Sequence, residues 1–189
     1  MRFHRAFFVA CLSVVYTVAL CSGAATATRD LSEVEAFDAY PVYSAGEEVA
    51  GLHFEVISKH EQFRDQRSTF WNFSYGNCTP PGNGACDPQL HVQSWSTCYR
   101  WFSSFRRKRH LFNLRGAKAS GGEGGSELEI FTGRSTVVIF AYSHSLAMAA
   151  ARQLRKVGQT EAPAVLPPPV PGSLGGKLPC QKPWWEEAR

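Results

Sequence analysis

The sequence predicts an α+β fold, a mainly antiparallel sheet of five or six strands with one C-terminal helix packed on it. Three observations carry that expectation. Residues 52–58, 69–75 and 89–95 alternate apolar with polar side chains, the period of a strand with one buried face. Glu127–Thr132 and Ser135–Ala141 are both strand-like and are separated only by Gly133-Arg134, the spacing of a tight hairpin. One helical stripe follows, over about 144–157, and strands followed by a late helix suit an antiparallel sheet.

The chain has 189 residues and a formal net charge of +4. Its 13 Phe, 6 Tyr and 5 Trp give ample surface to bury and exclude disorder throughout. Collagen, coiled-coil and multi-span membrane architectures do not fit the composition, and the charge is too small to mark a nucleic-acid protein.

The first segment is an address. Arg2, His4 and Arg5 precede an uncharged, mostly apolar run over residues 6–21, and small residues follow to Ala27. This is the three-part pattern of a secretory signal peptide. Ala25 and Ala27 make an A-x-A cleavage site, and Ser22 and Ala24 make an alternative one. An uncleaved anchor is a minority reading, because a membrane span needs about 17–25 residues. A lipoprotein anchor on Cys21 is another, opposed by Leu20 where a small residue is wanted. The organisation is then a signal peptide over 1–27, an exported domain over 28–157 and a Pro/Gly-rich flexible tail over 158–189. Without Arg2 and Arg5 the charge falls to about +2, and it is unevenly spread. Residues 29–70 carry nine acids against four bases, whereas residues 98–118 carry seven bases and no acid.

Four cysteines remain after export: Cys78, Cys86, Cys98 and Cys180. An even number in an oxidising compartment reads as two disulfides, with three possible connectivities. The preferred pairing joins Cys78 to Cys86 across the turn-rich Thr79-Pro80-Pro81-Gly82-Asn83-Gly84-Ala85, worth roughly 2.5 kcal/mol. Cys98 with Cys180 closes a larger loop worth roughly 4.5 kcal/mol, although Cys180 sits in low-complexity sequence. Zinc is disfavoured, since the spacings lack a C-x2-4-C knuckle.

Along the exported domain, residues 29–48 are acidic and mixed, with Leu31, Val34, Phe37, Tyr40 and Tyr43 as apolar anchors. Leu52, Phe54 and Val56 share one face of a first strand, and residues 59–68 read as a loop. In the next strand Trp71, Phe73 and Tyr75 face one way and Asn72 and Ser74 the other, with Gly76 ending it. Leu90 and Val92 mark a third strand, and Leu111–Leu114 a short one. Residues 116–126 (GAKASGGEGGS) read as a flexible link or hairpin loop. Ser135–Ala141 is nearly continuous in apolar residues, which places it inside the sheet with both faces covered. Ser143 or Ser145 caps the helix, Leu146, Ala150, Leu154 and Val157 form its stripe, and Gly158 stops it. From residue 159 the prolines give an extended, mobile tail, ending near Trp184-Trp185.

Several pieces in order carry a resemblance. They are Tyr40-Pro41-Val42-Tyr43 with Gly46 and Gly51; Ser74-Tyr75-Gly76-Asn77-Cys78 with Pro80-Pro81 and Gly84-Ala85-Cys86; Val92-Gln93-Ser94-Trp95 with Cys98; and Ile130-Phe131-Thr132-Gly133-Arg134 with Val137-Val138-Ile139-Phe140-Ala141. The series resembles a group of small exported proteins of unknown function from high-GC actinobacteria, over most of residues 40–157. The resemblance implies an exported, cysteine-stapled α+β domain at the cell envelope and brings no catalytic residues. The Pro-rich tail and the Arg106-Arg107-Lys108-Arg109 run are outside it.

Signatures of catalysis are not found in the sequence. Pro171-Gly172-Ser173-Leu174-Gly175 puts Pro where a nucleophile elbow needs Gly. The glycines of 121–125 lack the endings of a phosphate loop, and His60-Glu61 lacks the second histidine of H-E-x-x-H. Ser143-His144-Ser145 reads as a helix entrance. His53, His60, His91, His110 and His144 are dispersed and without ligand spacing. We therefore expect no catalytic residues, no metal site and no cofactor. Asn72-Phe73-Ser74 and Asn77-Cys78-Thr79 are formal glycosylation sequons, but one is mid-strand and the other includes a cysteine expected to be bridged.

The distinctive functional stretch is 100–115 (RWFSSFRRKRHLFNLR), where bases interleave with aromatics. Arg100, Trp101, Arg106, Arg107, Lys108 and Arg109 form a candidate patch for an anionic ligand, an envelope polymer or an acidic lipid surface. Export argues against nucleic acid. The bland alternative is a solvated loop paired with the acidic segment 29–70. The same run of bases would also suit a basic-site processing protease. The sequence thus reads as a non-enzymatic exported binding or scaffold module, the alternative being a small secreted hydrolase whose site is assembled only by folding.

Overall fold

In the computed structural model the described residues are 27–61, 69–77, 88–97, 111–121 and 125–171. Their elements are β1 (Ala27–Thr28), α1 (Ser32–Glu35), β2 (Tyr43–Ser44), β3 (Glu48–Val49), β4 (Leu52–Glu61), β5 (Thr69–Tyr75), β6 (Leu90–Ser96), β7 (Leu111–Leu114), β8 (Ala117–Gly121), β9 (Glu127–Thr132), β10 (Ser135–Ala141), α2 (His144–Gln153) and β11 (Arg155–Lys156). The main sheet runs β1-β4-β5-β6-β10-β9-β8-β7, with β3 paired beside β4, and β11 pairs with β2 in a separate ribbon. Every strand pair is antiparallel. The α+β class and the late helix are as the sequence predicts. The strand number is larger than five or six.

The largest difference lies at residues 116–126. Ala117–Gly121 is a strand, hydrogen-bonded to β7 on one side and β9 on the other. Ala117 and Ala119 are buried on the core face, where their size lets neighbouring parts approach closely. Gly, Ala and Ser make this stretch look like a linker, although its neighbours on both sides fix it as sheet. The two-residue turn Arg115-Gly116 joins β7 to β8 with positive φ at both residues, 50° and 86°. That geometry favours Asn-Gly, and a long side chain there carries strain of about 1 kcal/mol. The guanidinium explains its presence. Its Nη1 donates to the carbonyls of Ala151, Arg152 and Leu154, and its Nη2 to that of Pro163. Arg115 therefore satisfies carbonyls at the end of α2 that have no partner inside the helix.

Hairpin β9–β10 turns at Gly133-Arg134, and β10 lies between β6 and β9 with Val137, Val138 and Ile139 fully buried. Ser143 caps α2, accepting from the Leu146 N–H at 3.2 Å. The helix ends at Gln153, earlier than the expected 157, because Leu154 turns to extended backbone and Arg155–Lys156 pairs with Tyr43–Ser44. Its buried stripe is Ala147, Ala150 and Ala151, rotated from the Leu146 stripe, since small side chains bring the helix close to the sheet.

One face of the sheet holds the core. Trp71, Phe73 and Tyr75 meet Ile57, Val92, Leu90, Ile139, Ile130 and Leu128, and Val34, Tyr40, Val42, Val49, the α2 alanines and Leu166 cover them. The Tyr40-Pro41-Val42-Tyr43 and Val92-Gln93-Ser94-Trp95 motifs interlock here. Tyr40 Oη donates to the Thr69 carbonyl at 2.6 Å and lies 3.0 Å from that of Ser94. Ser94 Oγ accepts from the Tyr43 N–H and donates to its carbonyl. Burial pushes the Tyr40 phenol far above its ordinary range.

The proline-rich segment from 159 to 171 is docked. Leu166 is fully buried, its N–H bonds the Arg115 carbonyl, and the Gly133 N–H bonds the Pro168 carbonyl. Thr132 Oγ1 donates to the Pro167 carbonyl at 2.8 Å. This part of the expected mobile tail is a strap across the end of hairpin β9–β10. Composition alone cannot distinguish an anchored extended segment from a free one.

Candidate functional site

Arg100, Trp101, Arg106, Arg107, Lys108 and Arg109 lie outside the described residues, as do Cys78, Cys86, Cys98, Cys180 and nearly all of the signal segment. The described end of the basic-aromatic stretch is β7, at the edge of the sheet. There Leu111 and Phe112 expose 49% and 38% of their surface, while Arg115 is occupied in the core-side network above. In the acidic segment, Lys59 bonds Glu33 and Glu61, each at 2.7 Å, and lies over the Trp71 ring at 5.7 Å. Arg29 pairs with Glu55. These acids find cations within their own segment, and the two carboxylates raise the Lys59 ammonium above its ordinary range.

Among the dispersed histidines, His53 faces the Glu48 carboxylate at 3.6 Å on the surface. His144 Nδ1 donates to the Gly125 carbonyl at 3.1 Å, which makes it part of the helix entrance. His60 and His91 are placed together by the register of β4, β5 and β6. On the face away from the core these strands form a three-by-three array of side chains. The first row is His60, Phe70 and Trp95, the second Ser58, Asn72 and Gln93, and the third Val56, Ser74 and His91.

The first row is stacked. Ring centroids of His60 and Phe70 are 4.5 Å apart and those of Phe70 and Trp95 3.9 Å, with interplanar angles of 6° and 14°. The polar members are linked by hydrogen bonds. His60 Nε2 meets Ser58 Oγ at 3.1 Å, Asn72 Nδ2 donates to Ser74 Oγ at 3.1 Å, and Ser74 Oγ meets His91 Nδ1 at 3.2 Å. Trp95 Nε1 donates to Gln93 Oε1 at 3.2 Å. Burial holds the His60 imidazole below its ordinary pKa, so it is neutral at pH 7.

Asn72 is the centre of this array and only 7% exposed. Among the described residues its Oδ1 has no hydrogen-bond partner, and an unfilled buried acceptor costs about 1–3 kcal/mol. Farther along the same row, past Val138 and Glu129, the Ser120 hydroxyl is likewise buried and without a partner among the described residues. The alternation of β5 puts Asn72 and Ser74 on the face opposite Trp71, Phe73 and Tyr75, and there too both are buried. Only the pairing register brings Ser58, Gln93, His60 and His91 around them. These six positions are far apart in sequence, and nothing local marks them as neighbours.

Chemically, Ser74 with His91 has the contact of a nucleophile and a base, but Ser74 is 3% exposed and its Oγ also accepts from Asn72. A shallow polar cleft elsewhere is bordered by Ser44, Gly46, Glu47, Phe54 and Arg155. A Cβ on Gly46, which has φ of 88°, would collide with the Arg155 guanidinium, so this cleft is held by close packing. Among the described residues no group of three or more His, Cys, Asp or Glu could hold a metal ion, and no helix is long and apolar enough to cross a membrane. No family model, curated protein or solved structure matches the chain.

Proposed function

We propose that this is an exported, non-enzymatic binding module that holds an anionic polymer or lipid surface of the cell envelope through residues 100–115. The observation that carries the reading is at the described end of that stretch. Among the described residues strand β7 is the sheet edge and leaves Leu111 and Phe112 exposed, one on each of its faces, directly after Arg106-Arg107-Lys108-Arg109-His110 in sequence. Cations beside exposed apolar side chains match a surface that is anionic at its headgroups and apolar beneath.

The test is co-sedimentation of the secreted protein with phosphatidylglycerol vesicles, neutral vesicles and a soluble polyphosphate, over a salt titration. Binding to the anionic partners falls as salt rises, and the Arg106→Ala/Arg107→Ala double variant weakens it at least tenfold. Leu111→Ser/Phe112→Ser lowers vesicle binding but leaves polyphosphate binding intact if lipid is the partner. Absent or salt-independent binding overturns the reading.

A second reading, a small secreted hydrolase, draws on the 3.2 Å contact between Ser74 and His91. A fluorophosphonate probe labels an activated serine. Labelling that disappears in Ser74→Ala would support a hydrolase, and an unlabelled native protein would remove a serine nucleophile.

A further inference from the structure

We propose that the cleft beside the β2–β11 ribbon is a second ligand site, and that it takes a free α-amino acid as its zwitterion. Three features select that chemistry. Arg155 and Glu47 bring opposite charges to one cleft, yet among the described residues neither forms an ion pair. An anion alone would satisfy Arg155 and be repelled by Glu47, and a cation alone would meet the reverse. An α-amino acid answers both, since its carboxylate accepts from the guanidinium and its ammonium donates to the Glu47 carboxylate. Leu31, Phe54 and Val157 line the same cleft and are only half-buried, which leaves apolar surface for the ligand's side chain. The cleft holds about 60 Å³, room for a few waters and hence for a small molecule rather than a polymer.

The two charges are positioned before a ligand arrives. Arg155 is paired with Ser44 in the ribbon, and the next residue, Ala45, donates its N–H to the Tyr75 hydroxyl at 2.9 Å. The Phe54 N–H donates to the Glu47 carbonyl at 2.8 Å, which ties Glu47 to β4. The guanidinium lies against Gly46, where any Cβ would collide with it and where φ is positive. Close approach and backbone conformation both require glycine at that position. Backbone held on both sides of the cleft lowers the entropy lost on binding.

No residue of 100–115 lines this cleft, so the site is independent of the polyanion reading. The experiment is calorimetric titration of the full secreted chain with glycine, alanine, valine, leucine and phenylalanine. Each is matched with the same skeleton lacking the amine and the same skeleton lacking the carboxylate. The expected result is saturable binding of at least one apolar amino acid, tighter than glycine, with both of its truncated skeletons at least tenfold weaker. Arg155→Met and Glu47→Gln each weaken it at least tenfold, and Arg106→Ala/Arg107→Ala leaves it unchanged. Glu47 is exposed, so its variant keeps the test valid if Arg155→Met does not fold, which thermal denaturation checks. No binding across the panel, equal binding of either truncated skeleton, or binding unchanged in the folded variants overturns the proposal. Loss of polyphosphate binding alone would overturn only the other reading.

Discussion

The two faces of the sheet are built from alternate residues of the same strands, yet their central rows differ in chemistry. On one face Ile57, Phe73, Val92, Ile139 and Leu128 form a cross-strand row of buried apolar side chains. One residue along each strand, Ser58, Asn72, Gln93, Val138, Glu129 and Ser120 form the neighbouring row, and most of it is also buried. Burial is thus common to both faces, and what differs is whether it is rewarded. The apolar row gains transfer free energy and packing. The polar row gives up hydration, and at Asn72 Oδ1 and Ser120 Oγ no described residue replaces it. Each such group costs stability that the apolar row does not lose.

The strongest way to break this comparison is to truncate the apolar face. Phe73→Ala should cost about 3–5 kcal/mol, read as a fall in the denaturant midpoint at constant slope. Next is the clamp that closes that face. Arg115→Asn suits the turn better but leaves the α2 carbonyls and Pro163 without their donor. We expect a net loss of about 2–3 kcal/mol, and a gain would show that turn strain outweighs the clamp. Asn72→Ala, adjacent to Phe73 but on the other face, should change stability by less than about 1 kcal/mol. A loss comparable with that of Phe73→Ala would make the polar row structural and remove the distinction.

The smallest expected effect is on pH dependence. Burial lowers the His60 pKa, so the unfolded chain takes up a proton at its ordinary value of about 6.5 while the folded chain resists. The contribution of neutral His60 is complete above that value and is lost as pH falls through it toward the folded pKa. The melting temperature should drop between about pH 7.5 and about pH 5.5, and drop less in His60→Phe. An equal drop in both would place the titration on other groups.

Much of the fold is legible in the sequence because it is written in local periodicity. The alternation of Thr69–Tyr75, the Gly133-Arg134 turn and the Ser143 cap each act within a few residues. What is illegible acts across the chain. Ala117–Gly121 is a strand because β7 and β9 flank it, and no property of alanine or glycine announces that. Arg115 looks like one more base in a basic run, and only the fold shows that it belongs to the helix end. Asn72 and Ser74 are assigned to the correct face, but alternation records polarity and cannot say whether the polar face meets water or is covered. The array around them depends on register, which single strands do not encode.

The strap over hairpin β9–β10 bears on where the chain can be cut. Pro167, Pro168 and Pro169 have no N–H to donate, and they dock through carbonyls received by Thr132 and Gly133. A contact of this kind closes the end of a hairpin without offering the next strand a template to pair with. The compositional boundary at Gly158 is therefore a poor terminus for a shortened protein. Ending there would vacate the volume of Leu166 and remove a carbonyl from Arg115, whereas ending after Pro171 keeps the whole strap. A shortened protein that keeps this docking runs at least to Pro171, about a dozen residues farther than composition suggests.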